Sequence, residues 1–179
     1  IDWLIGQGIE VAPPILVDFF MQTFVNRKSN VEAHVMHRSP ADIMYVLGYK
    51  LARKEISKVN RIGSRFRYFT PFNDIFDEAV EARNVVSLNA QFGEGWLLPA
   101  EILSYHKRGV NNVISLQPFG CIANHIVSKG IEKRIHNLYP DMNLLSLDFD
   151  SGVSDVNIIN RMLLFIDNIT VSEPEGVTC

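Results

Sequence analysis

A layered, Rossmann-like α/β fold with a mostly parallel sheet and an additional helical region is what this sequence predicts. Three observations point to it. Two apolar strand candidates near the C-terminus, 112–116 and 143–149, are each followed by a helix-length segment, 122–138 and 153–169. Their apolar residues run on instead of alternating, the pattern of a parallel sheet covered on both faces. The 179 residues carry 47% hydrophobic and 21% charged side chains, enough to bury one core and too apolar for a disordered chain. One domain over 1–179 is expected, with a helical insertion at about 30–110.

The elements follow in order. Ile9 to Pro13 reads as a short strand stopped by Pro13-Pro14. Pro14 suits the first turn of a helix from Ile15 to Arg27, because its missing N–H would be unpaired there anyway. Ile15, Leu16, Phe19, Phe20 and Phe24 make that helix apolar over most of its surface, so it should be largely buried. Ser39 as N-cap and Pro40 at the first helical position start another helix, which runs to about Val59 with Ile43, Leu47 and Leu51 at i, i+4 and i+8. From Asn73 to His106 the pattern is mostly helical, with a break at Gly93 and Gly95. Val85 to Leu88 reads equally as a short strand. A helix from Glu94 to Lys107 ends at Gly109, a residue suited to a left-handed C-cap.

Leu116 to His125 is the stretch that carries chemistry. Pro118 and Gly120 punctuate a sharp strand-to-helix turn and put Cys121 at a helix N-terminus, where free N–H groups and the helix dipole favour a thiolate. His125, one turn on, is placed to hydrogen-bond that sulfur or to cap the loop. In open parallel sheets ligands collect beyond the carboxyl ends of the strands, so Pro13, Pro118 to Cys121 and Asp148 to Asp155 should share one rim. Asp148, Asp150 and Asp155 serve either as turn and cap residues or as a magnesium or substrate-hydroxyl site. Asn157, Asn160 and Arg161 are polar on a helix that is otherwise apolar.

Other candidates are thinner. His34 and His37 could share a metal only on a helix and lack a third ligand, while His106 and His136 read as surface residues. Trp96 reads as a core anchor, and Glu94, near Glu101, as a residue facing a neighbouring domain or substrate. Arg61, Arg65 and Arg67 form the densest basic cluster, a solvated face or a contact to another domain.

Composition excludes several classes. A net charge of −3 with scattered basic residues gives no footprint for nucleic acid. No apolar run approaches the roughly 20 residues of a bilayer span, so no membrane association is expected and the chain reads as cytoplasmic. Two cysteines, Cys121 and Cys179, argue against a disulfide framework. The first residue, Ile1, and the polar tail suggest a segment of a larger protein, whose upstream domains would be its partners.

Three motifs carry a family resemblance: Gln91 to Glu101 (QFGEGWLLPAE), Gln117 to His125 (QPFGCIANH) and Asp148 to Asn157 (DFDSGVSDVN). Together they resemble the C-terminal region of proteins related to 2-hydroxyacyl-CoA dehydratases and their CoA-substrate-specific activases. The resemblance implies ATP-linked, one-electron chemistry through a cysteine-held iron–sulfur cluster, with a dehydratase-like or activase partner. It makes Cys121 one metal ligand, with Gly120, Asn124 and His125 beside it at the cofactor. A cubane cluster takes four thiolates, or three with another group, so the remaining ligands must come from outside this chain. No phosphate-binding Gly-rich loop with Lys-Ser/Thr occurs here. The isolated segment is therefore expected to be inactive and cluster-free. A non-catalytic docking or scaffold domain between the two components is the alternative, and a stand-alone thiol enzyme using Cys121 and His125 a third.

Overall fold

The structure, a computed structural model, describes residues 1–172, with side chains to 169. The fold is mixed α/β. Five helices come first: α1 (Asp2–Gly6), α2 (Leu16–Glu32), α3 (Asp42–Gly63), α4 (Ile75–Ala82) and α5 (Leu97–Lys107). Strand β1 (Asn112–Pro118), a π-helical segment (Ala123–Ser128) running into α6 (Lys129–Leu138), strand β2 (Asn143–Phe149) and α7 (Asp155–Ser172) follow.

The strand-to-helix units stand as the sequence predicts, and β1 pairs with β2 in parallel, Asn112 opposite Asn143 through Pro118 opposite Phe149. Among the described residues the sheet has these two strands, which falls short of a layered Rossmann-like sheet. Ile9 to Pro13 is not a strand. Pro13 and Pro14 supply no N–H to a ladder, and the Pro13 carbonyl is taken by the Tyr105 hydroxyl at 2.9 Å. Val85 to Leu88 forms turns after α4, not a strand.

Two cores hold the chain together. In the helical half, Met21 and Val25 of α2 meet Ile75, Ala79 and Ala82 of α4 and Trp96, Leu97 and Ala100 at the start of α5. Trp96 is the anchor the sequence predicts: it is fully buried, and its Nε1 donates to Asn26 Oδ1 at 2.6 Å. Asp74 caps α4 by accepting from the Phe76 N–H at 3.0 Å. In the β half, Ile131 and Ile135 of α6 pack with Ile102, Leu103, Val85 and Met142. Gly109 ends the α5 turn at φ +83°, in the left-handed region that its place after the helix requires.

Several faces are turned the other way from expectation. On α2 the buried residues are Asp18, Met21, Gln22, Val25 and Ser29, while Leu16, Phe19 and Phe20 are exposed. Helix α3 begins at Asp42, after a turn in which the Ser39 N–H donates to the Asp42 carboxylate at 2.9 Å. Its Ile43, Leu47 and Leu51 face solvent, because the opposite side is the one held to α2 by Phe24, Tyr45 and Tyr49 ring contacts. At the carboxyl ends of the strands Leu116, Phe119 and Phe149 are exposed too, so the sheet is not covered on both faces.

Among the described residues no helix is long and apolar enough to cross a membrane.

Candidate functional site

The strand-to-helix turn after β1 places Cys121 where the sequence puts it. Gly120 adopts φ +76°, the left-handed conformation that lets the chain reverse out of Pro118-Phe119. The Phe119 N–H donates to the Phe149 carbonyl at 2.8 Å, which joins this turn to the end of β2. The Cys121 N–H donates to Pro118, and the Cys121 carbonyl accepts the His125 N–H at 3.0 Å, so Cys121 opens the helical segment.

That segment is a π-helix, not the start of one long α-helix from Ile122 to Leu138. π turns are uncommon and recur beside functional sites. Here it buries Ala123, Asn124, Val127 and Ser128 and leaves Ile122 and Ile126 outside. Asn124 Nδ2 lies 3.0 Å from Cys121 Sγ and donates to it. Cys121 itself is half-buried.

His125 does not join the sulfur. Its Nδ1 sits 3.8 Å from Asp148 Oδ1, and Lys129 Nζ reaches the same carboxylate at 3.1 Å. The backbone turn from Cys121 to His125 is closed by their 3.0 Å main-chain hydrogen bond, but the His125 ring is turned to the end of β2 and Asn124 takes the sulfur. A Cys121–His125 nucleophile pair is therefore not formed.

Behind the turn, Gln117 is wholly buried. Its Nε2 donates to Ser115 Oγ at 3.0 Å, Ser115 and Ser128 hydroxyls meet at 3.1 Å, and Gln117 Oε1 has no partner among the described residues. Deeper along β2, the Ser146 hydroxyl donates to Glu132. Burial pushes the Glu132 carboxyl up.

The rim is partly as expected. Pro118 to Cys121 and Asp148 to Asp155 come together, while Pro13 sits with Tyr105 of α5. Asp150 makes a turn, Oδ1 accepting from the Gly152 N–H at 2.6 Å, and the Ser154 carbonyl accepts from Asn157 and Ile158 at the start of α7. Arg161 reaches back to the Ser146 carbonyl at 2.6 Å. Among the described residues no group of three or more His, Cys, Asp or Glu side chains could hold a metal ion. His34 lies past α2 at φ +58°, which removes the helical spacing a His34–His37 site needs. His106 is not a lone surface residue: Nε2 pairs with Asp141 Oδ2 at 2.9 Å. Cys179 falls outside the described residues.

The sequence reading missed a buried acidic group in the helical half. Asp18 and Glu78 are 6% and 5% exposed. Burial, then the nearby Glu78 charge, raises Asp18 to about 7. Burial, then Glu78, Asp18 and Glu94, raises Glu101 to about 8. Glu78 is also raised, by burial; its Oε1 accepts from Ser104 at 3.2 Å and Asn73 at 3.3 Å, and Oε2 is unpartnered among the described residues. The available signal was Asp18 and Gln22 at i, i+4 in the largely apolar first half of α2.

A cavity of about 400 Å³ opens between the end of α2, the 83–89 turn and α6, away from Cys121. Its polar walls are paired internally, Ser29 with Asn89 at 2.9 Å, Arg83 with Glu32 at 3.3 Å and Arg134 with the Asn84 carbonyl at 3.0 Å.

Comparison of the chain with protein-family models, with curated proteins and with solved structures gives no match. The functional reading therefore rests on the geometry and on the motif resemblance.

Proposed function

We propose that this chain is a docking module of a multi-component redox system of the dehydratase–activase kind, joining its partner through the rim at the carboxyl ends of β1 and β2. The observation that carries the reading is the rim's surface. Phe119 is 82% exposed, Ile126 64%, Leu116 54% and Ile122 52%, a density of apolar side chains that monomers seldom leave open. These four and Phe149, 42% exposed, surround the turn that holds Cys121.

Within this reading Cys121 is the one ligand the chain could lend to a shared iron–sulfur centre. Asn124 would orient its sulfur and damp its charge, as a hydrogen-bond donor to a thiolate does. The residues present do not fit a cluster by themselves: one free thiol occurs among the described residues, and no ligand group accompanies it. A covering partner would supply the remaining thiolates and exclude water. The rest of the site holds the turn: Gly120 reverses it, the Phe119–Phe149 hydrogen bond ties it to β2, and Lys129 neutralises Asp148 beneath His125.

Titration calorimetry of the chain against a purified 2-hydroxyacyl-CoA dehydratase component and its activase tests the proposal. Binding that Phe119→Asp and Ile126→Asp each abolish supports it. Absence of binding to either component by a folded chain at about 100 μM, well above the Kd of a specific interface, rejects it.

A further inference from the structure

Charge is distributed unevenly along this chain. Residues 42–67 hold seven Lys and Arg against two Asp and Glu, net +5, while the remainder holds ten against eighteen, net −8. Helix α3 carries most of that excess. Its inner side is taken up by Tyr45, Tyr49 and the Arg53–Asp74 pair at 3.1 Å. Its outer side runs from exposed Ile43, Leu47 and Leu51 into exposed Lys54, Lys58 and Arg61. Lys58 is paired with Glu55 at 2.7 Å, whereas Lys54 and Arg61 make no salt bridge among the described residues.

The outer side of α7 has the opposite character. Val156, Ile159, Leu163 and Leu164 are exposed, and Asp150 and Asp155 stand exposed at its N-terminal end. Laid antiparallel, the two helices match: Ile43, Leu47 and Leu51 against the α7 apolar stripe, and Lys54, Lys58 and Arg61 beside Asp150 and Asp155. Antiparallel dipoles also attract. The 18 residues of α7 give a seam of about 27 Å.

Other occupants fit worse. Lys54 and Lys58 lie on the same line of the helix as Ile43 and Leu47, so a bilayer that took the apolar half would bury ammonium groups on the helix's outward axis. Phosphates along the basic half would leave the apolar half uncovered.

We infer that the outer face of α3 binds the outer face of α7 on a second copy of this chain. The inference rests on the docking reading and adds to it an occupant for a different surface. Sedimentation velocity at about 100 μM and about 50 mM salt should show species larger than the monomer, and salt at about 0.5 M, where the Debye length is a few ångströms, should weaken association about tenfold. Lys54→Glu with Arg61→Glu makes both faces acidic; Asp150→Lys with Asp155→Lys makes both basic. Each double variant alone should be monomeric, and an equimolar mixture should reassociate, because every cross-contact then pairs opposite charges. Circular dichroism verifies that each variant is folded. Monomeric wild-type chain under the low-salt condition overturns the inference, as does a mixture that stays monomeric. If that monomer instead floats with phosphatidylserine vesicles, the face is a lipid contact and the inference fails; if it still binds the dehydratase component, the docking reading survives without it.

Discussion

The helical half and the β half of this molecule each have an apolar core, and they differ in the polar groups buried beside it. Between α2, α4 and α5 the interior encloses the carboxyl groups of Asp18 and Glu78, while α2 turns Leu16, Phe19 and Phe20 outward. Around β1, β2 and α6 the interior is closed by Ile131, Ile135, Leu147 and a wholly buried Gln117, and phenylalanines crown the strand ends. Burial of acids is costly unless they stay protonated or hydrogen-bonded. Exposure of large apolar groups leaves the hydrophobic driving force unspent until a partner arrives. The difference teaches that both halves display apolar surface, and that the helical half in addition encloses two acidic side chains beside its apolar core.

The largest test breaks the helical half. Trp96→Ala should lower unfolding free energy by about 3–5 kcal/mol, the cost of emptying a buried aromatic site. Urea denaturation followed by circular dichroism measures it. Trp96→Phe, which keeps most of the ring but strands Asn26 Oδ1, should cost about 1–3 kcal/mol.

Next in size is the pH response of the acidic group. Asp18 is raised from 3.8 to about 7 and Glu101 from 4.5 to about 8, so the folded chain holds protons that the unfolded chain has released. Their contribution is fully present below about pH 4 and is lost as pH rises through 7 to 8. Asp42 and Asp141 act oppositely: partners lower their pKa, and the stability they add is lost as pH falls below the ordinary carboxylate range. The melting temperature should therefore fall on going from pH 6 to pH 9. Asp18→Asn should flatten that fall and raise stability at pH 9 by about 2–4 kcal/mol. An unchanged slope in the variant would show that Asp18 is ionised throughout.

The β half offers smaller effects. Gly120→Ala meets open space, so its cost is backbone strain alone at φ +76°, about 1–2 kcal/mol. Cys121→Ser replaces a half-buried sulfur by a smaller oxygen that Asn124 can still reach, and should change stability by less than about 1 kcal/mol. Mass spectrometry after brief iodoacetamide treatment should find Cys121 modified in the folded protein. Labelling only in denaturant would make the thiol a packing residue.

How much of this was legible in the sequence follows the same division. The two strand-to-helix units were readable because apolar strand runs, Pro118-Gly120 punctuation and Gly109 are local signals, and they placed Cys121 correctly. The π turn was not, since nothing in Ala123 to Ser128 distinguishes one extra residue per turn from an α-helix. The Ile9–Pro13 segment had strand composition but no neighbour to pair with, and pairing is a tertiary fact. The faces of α2 and α3 misled for another reason. Apolar periodicity says which residues share a side of a helix, not which side meets the core, and here Met21, Val25 and Tyr49 decided it against Phe20 and Leu47.

Dye binding by the folded chain tests the account most directly, since its central claim is an ordered core beneath open apolar faces. Anilinonaphthalene sulfonate fluorescence should be measured alongside the near-ultraviolet circular dichroism of buried Trp96. The account predicts strong dye fluorescence together with a sharp, native Trp96 signal, and a partial loss of fluorescence in Phe119→Asp, Ile126→Asp with that signal retained. Strong fluorescence without a Trp96 signal would mean a molten chain, and a native signal with no dye bound would mean closed faces; either result contradicts it.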